Sequence, residues 1–208
     1  MRCDKKDLLL YGVTDRSWLG DRTLAQQVEA SLRGGATMIQ LREKHMDRGS
    51  ILAQALELRE LCGRYGVPLI LNDDAELAQA AGADGVHVGQ SDMEAGRVRA
   101  LLGEDKLIGV SARTVEQALA AQAAGADYLG VGAMFPTGTK QDTRPVSYDT
   151  LKAICAAVDI PVVAIGGIGA GNVAELAGSG IAGVAVVSAL YAQPDVEAAT
   201  RSLRAQVE

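Results

Sequence analysis

The sequence predicts an α/β protein built as a single (β/α)8 TIM barrel over residues 1–208. A fourfold internal repeat and a steady alternation of short apolar runs with helical patterns carry that expectation. Gly35-Ala36-Thr37 leads into Met38-Ile39-Gln40-Leu41, and Gly82-Ala83-Asp84 into Gly85-Val86-His87-Val88. Gly125-Ala126-Asp127 leads into Tyr128-Leu129-Gly130-Val131, and Gly180-Ile181-Ala182 into Gly183-Val184-Ala185-Val186. The glycines are 47 residues apart (35 to 82), 43 apart (82 to 125) and 55 apart (125 to 180). Each interval holds two strand-plus-helix units of about 20–25 residues, within reach of a βαβ unit. Four double units make eight, the number that closes this barrel. Each glycine follows a helical pattern, where it can close the helix in the left-handed conformation.

The elements follow in order. Residues 8–13 form an apolar first strand that ends at Thr14-Asp15. Thr23 caps a helix running to about Arg33, with Leu24, Val28 and Leu32 on one face. The second strand, Met38–Leu41, delivers Arg42-Glu43-Lys44 at its carboxyl end, and a helix spans 50–65. Gly66-Val67-Pro68 breaks that helix before a third strand over 69–71, followed by Asn72-Asp73-Asp74 and a helix over Ala75–Ala81. The fourth strand ends in Gly89-Gln90-Ser91-Asp92 before a helix over 94–102. A fifth strand over 107–110 reaches Ser111, and Thr114 caps the next helix. The sixth strand, 129–131, gives way to a polar loop at 137–140, and a helix covers Tyr148–Ala157. Val162–Ile165 runs into Gly166-Gly167 with a helix expected from about 171. The last strand, 184–187, ends at Ser188, and Val196–Val207 closes the chain as a helix.

Composition narrows the function. The chain has 20 Lys+Arg against 26 Asp+Glu, a net charge of −6, and no basic run, which argues against nucleic-acid and membrane-surface partners. Three unclustered cysteines fit neither a disulfide framework nor zinc spacing. The longest apolar run, 181–192, is too short to span a membrane, and the charged start lacks a signal core. A reduced, cytoplasmic enzyme domain is the expectation.

Polar residues gather where such a barrel keeps its active site, just after the strands. Arg42, Lys44, Asn72, Asp73, Asp92, Ser111, Thr137, Thr139 and Lys140 all stand there. Taken singly each reads as a cap or a solvated loop residue; jointly they put cations, carboxylates and hydroxyls on one rim. Gly166-Gly167 after strand seven, with Val187-Ser188 after strand eight, suits a phosphate held by backbone N–H groups and a helix start. Thr137-Gly138-Thr139-Lys140 adds two hydroxyls, a permissive backbone and a cation. Asp73 and Asp92 repel each other unless they share a hard cation such as Mg²⁺. Asp74 suits the start of the following helix, and His87 a packed position inside strand four.

The ordered set Gln40-Leu41-Arg42-Glu43-Lys44, Asn72-Asp73, His87-Val88-Gly89-Gln90-Ser91-Asp92 and Gly109-Val110-Ser111 closely resembles the thiamine-phosphate synthase family. The likeness continues through Gly130-Val131-Gly132, Phe135-Pro136-Thr137-Gly138-Thr139-Lys140, Val163-Ala164-Ile165-Gly166-Gly167-Ile168 and Val186-Val187-Ser188, so it covers the chain from Tyr11 to Leu190. Two positions depart: Gly138 stands where the family usually has proline, and Arg113 where it often has histidine. The resemblance implies a transferase that condenses an aminopyrimidine methyl diphosphate with a hydroxyethylthiazole phosphate, giving thiamine phosphate and pyrophosphate. It implies that Gln40, Leu41, Arg42, Glu43, Lys44, Asn72, Ser111 and Lys140 hold the pyrimidine diphosphate. Arg42, Lys44, Ser111 and Lys140 would be catalytic. Asp73 and Asp92 would bind one Mg²⁺, and Thr137, Gly138, Thr139, Gly167, Val187 and Ser188 the thiazole phosphate. A homo-oligomer is compatible with it. Two rivals stay open: a thiazole tautomerase on the same fold, against which Ala133 stands where those relatives use histidine, and a non-catalytic phosphate-binding barrel.

Overall fold

In the computed structural model, residues 3–138 and 145–208 are described. Eight parallel strands close in sequence order, the last pairing with the first. They are β1 (Leu10–Val13), β2 (Met38–Leu41), β3 (Leu69–Asn72), β4 (Gly85–Val88), β5 (Leu107–Ala112), β6 (Tyr128–Val131), β7 (Val162–Ile165) and β8 (Gly183–Val186). Around them run α1 (Leu24–Arg33), α2 (Arg48–Tyr65), α3 (Ala75–Ala81), α4 (Ala95–Leu102), α5 (Val115–Ala123), α6 (Tyr148–Ala157), the short α7 (Ser188–Tyr191) and α8 (Val196–Val207). The expected barrel is the observed one.

Period-two alternation sorts each strand between two apolar groups. Tyr11, Val13, Met38, Ile70, Leu107, Tyr128, Val163 and Ala185 fill the barrel. Ile39, Leu41, Leu69, Leu71, Val86 and Ile108 point outward into the shell shared with the helices. Each large aliphatic side chain buried there contributes about 1.5–3 kcal/mol. The four repeat glycines all take positive φ: 99° at Gly35, 61° at Gly82, 91° at Gly125 and 93° at Gly180. No helix among the described residues is long and apolar enough to cross a membrane.

Several boundaries differ from expectation, three of them for a clear local reason. The first strand starts at Leu10, because Lys5–Leu8 forms a 3-10 turn whose capping box joins Asp4 and Asp7. Leu8 from that turn is fully buried with the barrel's inner group and plugs the amino-terminal end, opposite the strand carboxyl ends. α2 starts at Arg48, because Asp47 takes the cap: its carboxylate accepts from the Ser50 N–H at 2.9 Å and from the Ser50 hydroxyl at 2.6 Å. After β7 the expected helix is only a 3-10 turn, Val173–Leu176. There the Asn172 side chain closes the loop on itself, accepting from the Gly169 N–H and donating to the Gly167 carbonyl, both at 2.9 Å. Individual backbone N–H groups, rather than a helix dipole, are therefore what the Gly166-Gly167 turn offers an anion.

Candidate active site

The carboxyl ends of the strands surround an open-topped cavity. Gln40, Arg42, Asn72, Ser111 and Arg113 line one flank; Thr137, Gly167, Val187 and Ser188 line the other. Thr137, Gly138, Gly167 and Ser188 also border a second depression continuous with that flank. Strand ends explain the first flank. Gln40 faces inward by the alternation of β2, and the Arg42 N–H is fixed by the buried Thr14 hydroxyl at 3.0 Å. Asn72 ends β3 on the same inward face.

The carboxylates lie at the rim between β3 and β4. Asp73 takes the left-handed conformation, φ 66°, its N–H held by the His87 carbonyl at 2.8 Å. Such strain in a residue other than glycine is commonest at functional sites. The Asp73 carboxylate accepts from the Lys44 ammonium at 2.9 Å and shares a hydrogen bond with Asp92. Asp92 accepts from the Gly89 N–H at 2.6 Å, an approach open because Gly89 has no side chain. Burial pushes Asp73 up, but the Lys44 ammonium and the hydrogen bonds from Asp92 and Asn72 outweigh it and hold its pKa below the usual carboxylate range. Burial and the Asp73 charge instead raise Asp92, against the Gly89 N–H. Of the two, Asp92 is therefore the one that takes up a proton first as pH falls.

Among the described residues no three His, Cys, Asp or Glu side chains cluster as a self-sufficient metal cage. Two facing carboxylates are nevertheless the donor set Mg²⁺ accepts, since it uses one or two carboxylates and fills its shell with phosphate oxygens and water. The residues fit the ion.

Other expected residues scatter. Leu41 faces the helix shell and offers the cavity no side chain. Glu43 pairs with Arg16 at 3.2 Å, its side chain only 4% exposed. Asp74 caps α3 through the Leu77 N–H at 2.8 Å, as its position suggested. Thr139 and Lys140 lie outside the described residues.

A hydrogen-bonded set inside the barrel escaped the sequence. Tyr11 and Tyr128 meet there, each at most 1% exposed, and link Gln40 to His87 and Ser111. The signal was the pair of mid-strand glycines, Gly109 and Gly130. A Cβ on Gly109 would collide with the Tyr128 ring and His87 Nδ1, and one on Gly130 would sit 2.9 Å from His87 Cε1.

Known proteins resemble the chain over nearly its whole length. The family model described as thiamine monophosphate synthase matches residues 10–190. The chain is 48% identical over 199 residues to the thiamine-phosphate synthase of Ruminiclostridium cellulolyticum, covering 96% of this chain and 95% of that one. It is 50% identical over 202 residues to that of Chloroflexus aurantiacus, covering 97% and 93%. The solved structure of thiamine phosphate pyrophosphorylase from Pyrococcus furiosus superimposes with a TM-score of 0.90 at 37% identity, covering 98% of this chain and 96% of that one.

Proposed function

Because the chain belongs to the thiamine monophosphate synthase family, and so is a transferase acting on small molecules as a thiamine-phosphate synthase, we propose the substrates, metal and residue roles of its reaction. An aminopyrimidine methyl diphosphate and a hydroxyethylthiazole phosphate meet in the cavity and leave as thiamine phosphate and pyrophosphate. One observation carries this reading: a single cavity offers two anion-holding flanks. Arg42, Asn72 and Ser111, beside Lys44, Asp73 and Asp92, suit a diphosphate; Thr137, Gly167 and Ser188 suit a monophosphate.

The thiazole nitrogen gives its lone pair to the pyrimidine methylene carbon. The C–O bond electrons leave with pyrophosphate, and the ring nitrogen becomes cationic. No proton moves in that exchange, so the site needs no general base. Asp73 and Asp92 would hold Mg²⁺, which neutralises charge on the departing diphosphate when bound. Arg42 and Lys44 bind the phosphate oxygens, and Ser111 donates a hydrogen bond to them. Lys140, carried over from the family pattern, adds a third cation. One such charge pair at about 4 Å is worth roughly 4 kcal/mol at an effective dielectric near 20. Several together exceed an acid–base term of about 10²–10⁴-fold. Val187 and the glycine-rich turn line the thiazole flank.

Separate calorimetric titrations test the reading. The thiazole phosphate should bind with or without Mg²⁺, and the pyrimidine diphosphate tightly only with it. A protein that binds the thiazole phosphate but not the diphosphate is an isomerase or a sensor, and the proposal fails.

A further inference from the structure

Arg113 lines the cavity on the same flank as Arg42 and Ser111, at a position where the family often has histidine. The alternation of β5 puts it there. Val110 and Ala112 belong to the outer shell, so Gly109, Ser111 and Arg113 turn inward. β2 has the same order, with Ile39 and Leu41 outward and Gln40 and Arg42 inward. The end of β5 is held from both sides. Gln90 Nε2 donates to the Ser111 carbonyl at 2.7 Å, and the Arg113 N–H donates to Gln117 Oε1 at 2.8 Å. Thr114 caps α5 directly behind, accepting from the Gln117 N–H at 3.2 Å. The Arg113 side chain therefore starts from a fixed backbone.

Charge and strand order say what that side chain meets. Among the described residues lining the cavity, Arg42 and Arg113 are the only Lys, Arg, Asp or Glu. Both are half-buried, and neither guanidinium has a hydrogen-bond or ion-pair partner among the described residues. Two like charges thus face one space with no carboxylate on its described wall, an arrangement that draws anions. β2, β3, β4 and β5 are consecutive around the barrel. Arg42 follows the first and Arg113 the last, and Asp73 and Asp92 stand at the rim between them. With neighbouring strands about 4.8 Å apart, three steps separate the two arginines by roughly 14 Å along the barrel wall. They approach a shared anion from opposite sides, and so take hold of different ends of it.

We propose that Arg113 is a specificity residue that grips the second phosphoryl group of the pyrimidine diphosphate, so that this flank selects a diphosphate over a monophosphate. Arginine suits the task because its planar fork meets two phosphate oxygens at once. Arg42 takes one phosphoryl group and Arg113 the other. The inference rests on reading this flank as the diphosphate site.

Calorimetric titrations of the parent and of Arg113→Gln test it, with three ligands taken separately in Mg²⁺. These are the pyrimidine methyl diphosphate, the corresponding pyrimidine methyl monophosphate, and the thiazole phosphate. Losing hydrogen bonds to a charged group should weaken diphosphate binding at least about tenfold. Affinity for the other two ligands should not change. Arg113→Lys keeps the charge without the fork and should recover part of the loss. An Arg113→Gln variant that binds the diphosphate as the parent does overturns the inference and leaves the reading of the flank standing. Equal losses of diphosphate and monophosphate also overturn it, because Arg113 would then not select between them. A loss confined to the thiazole phosphate moves Arg113 to the other flank. Loss of all three ligands with a lowered melting temperature marks a structural residue, and either result rejects the proposal. A parent that binds no diphosphate overturns the flank's reading and this inference together.

Discussion

The Lys44 ammonium stands 2.9 Å from the Asp73 carboxylate, so the residue assigned to the diphosphate is paired with the residue assigned to the metal. Their side chains are 43% and 35% exposed, and pairs this open contribute about 0–1 kcal/mol. A divalent cation bound there would displace the ammonium at little cost, and Lys44 would then be free to turn to the phosphate oxygens of a diphosphate.

Removing one carboxylate should expose that exchange. Asp73→Asn and Asp92→Asn each delete a charge from the metal site, and asparagine tolerates the left-handed backbone at position 73. The loss of about 4 kcal/mol of attraction at 4 Å predicts a Mg²⁺ requirement raised at least about a hundredfold. A Mg²⁺ titration of turnover measures it, and an unchanged requirement in both variants removes the metal from this pair.

The raised pKa of Asp92 has a defined sign. The folded protein holds this proton more tightly than the unfolded chain, so the charged form costs stability as pH rises through the carboxylate range. In chelator, Asp92→Asn should therefore melt above the parent at neutral pH, and the gain should vanish at acid pH, where Asp92 is already protonated. Mg²⁺ affinity of the parent should fall as pH drops, because metal and proton compete for Asp92. Parallel melting curves with the same offset at every pH would contradict this.

The elements that read most fully in the sequence were those framed by strong punctuation. β2, β7, α3, α6 and α8 have the limits their glycines, prolines and caps suggested. The nearness of Asp73 and Asp92 was legible too, since adjacent strands deliver them. The partners of rim side chains were not. Glu43 follows β2 as Arg42 does, yet turns to Arg16, a contact 27 residues distant that no local pattern encodes. The contacts of Tyr128 escaped because the room for its ring is made by Gly109 on the neighbouring strand, which no local pattern around Tyr128 encodes.

The two flanks should separate by substitution. Gly167 has φ 65°, and a Cβ there would lie 2.5 Å from the Pro136 carbonyl and 2.7 Å from that of Phe135. Gly167→Val would thus displace the 135–137 segment itself, lowering stability as well as thiazole phosphate affinity. Ser188→Ala is the cleaner probe: losing one hydrogen bond to a charged group, about 1.5–3 kcal/mol, should weaken thiazole phosphate binding at least about tenfold and spare the diphosphate. Lys140→Ala should do the reverse. Equal losses of both ligands in both variants would reject the division.

With no proton to transfer, the barrier should lie in parting the C–O bond. The amino group of the pyrimidine feeds electrons toward the methylene left behind, which predicts a dissociative transition state with carbocation character. An electron-withdrawing substituent on that ring should slow a single turnover steeply even at saturation. A chemical step indifferent to the substituent would instead indicate displacement by the thiazole nitrogen.

The condensation itself is the most direct test. Purified protein, both substrates and Mg²⁺ should yield thiamine phosphate and pyrophosphate in equal amounts, and a chelator should stop both. Pyrophosphate without thiamine phosphate, or neither product from substrates shown to bind, would contradict the account.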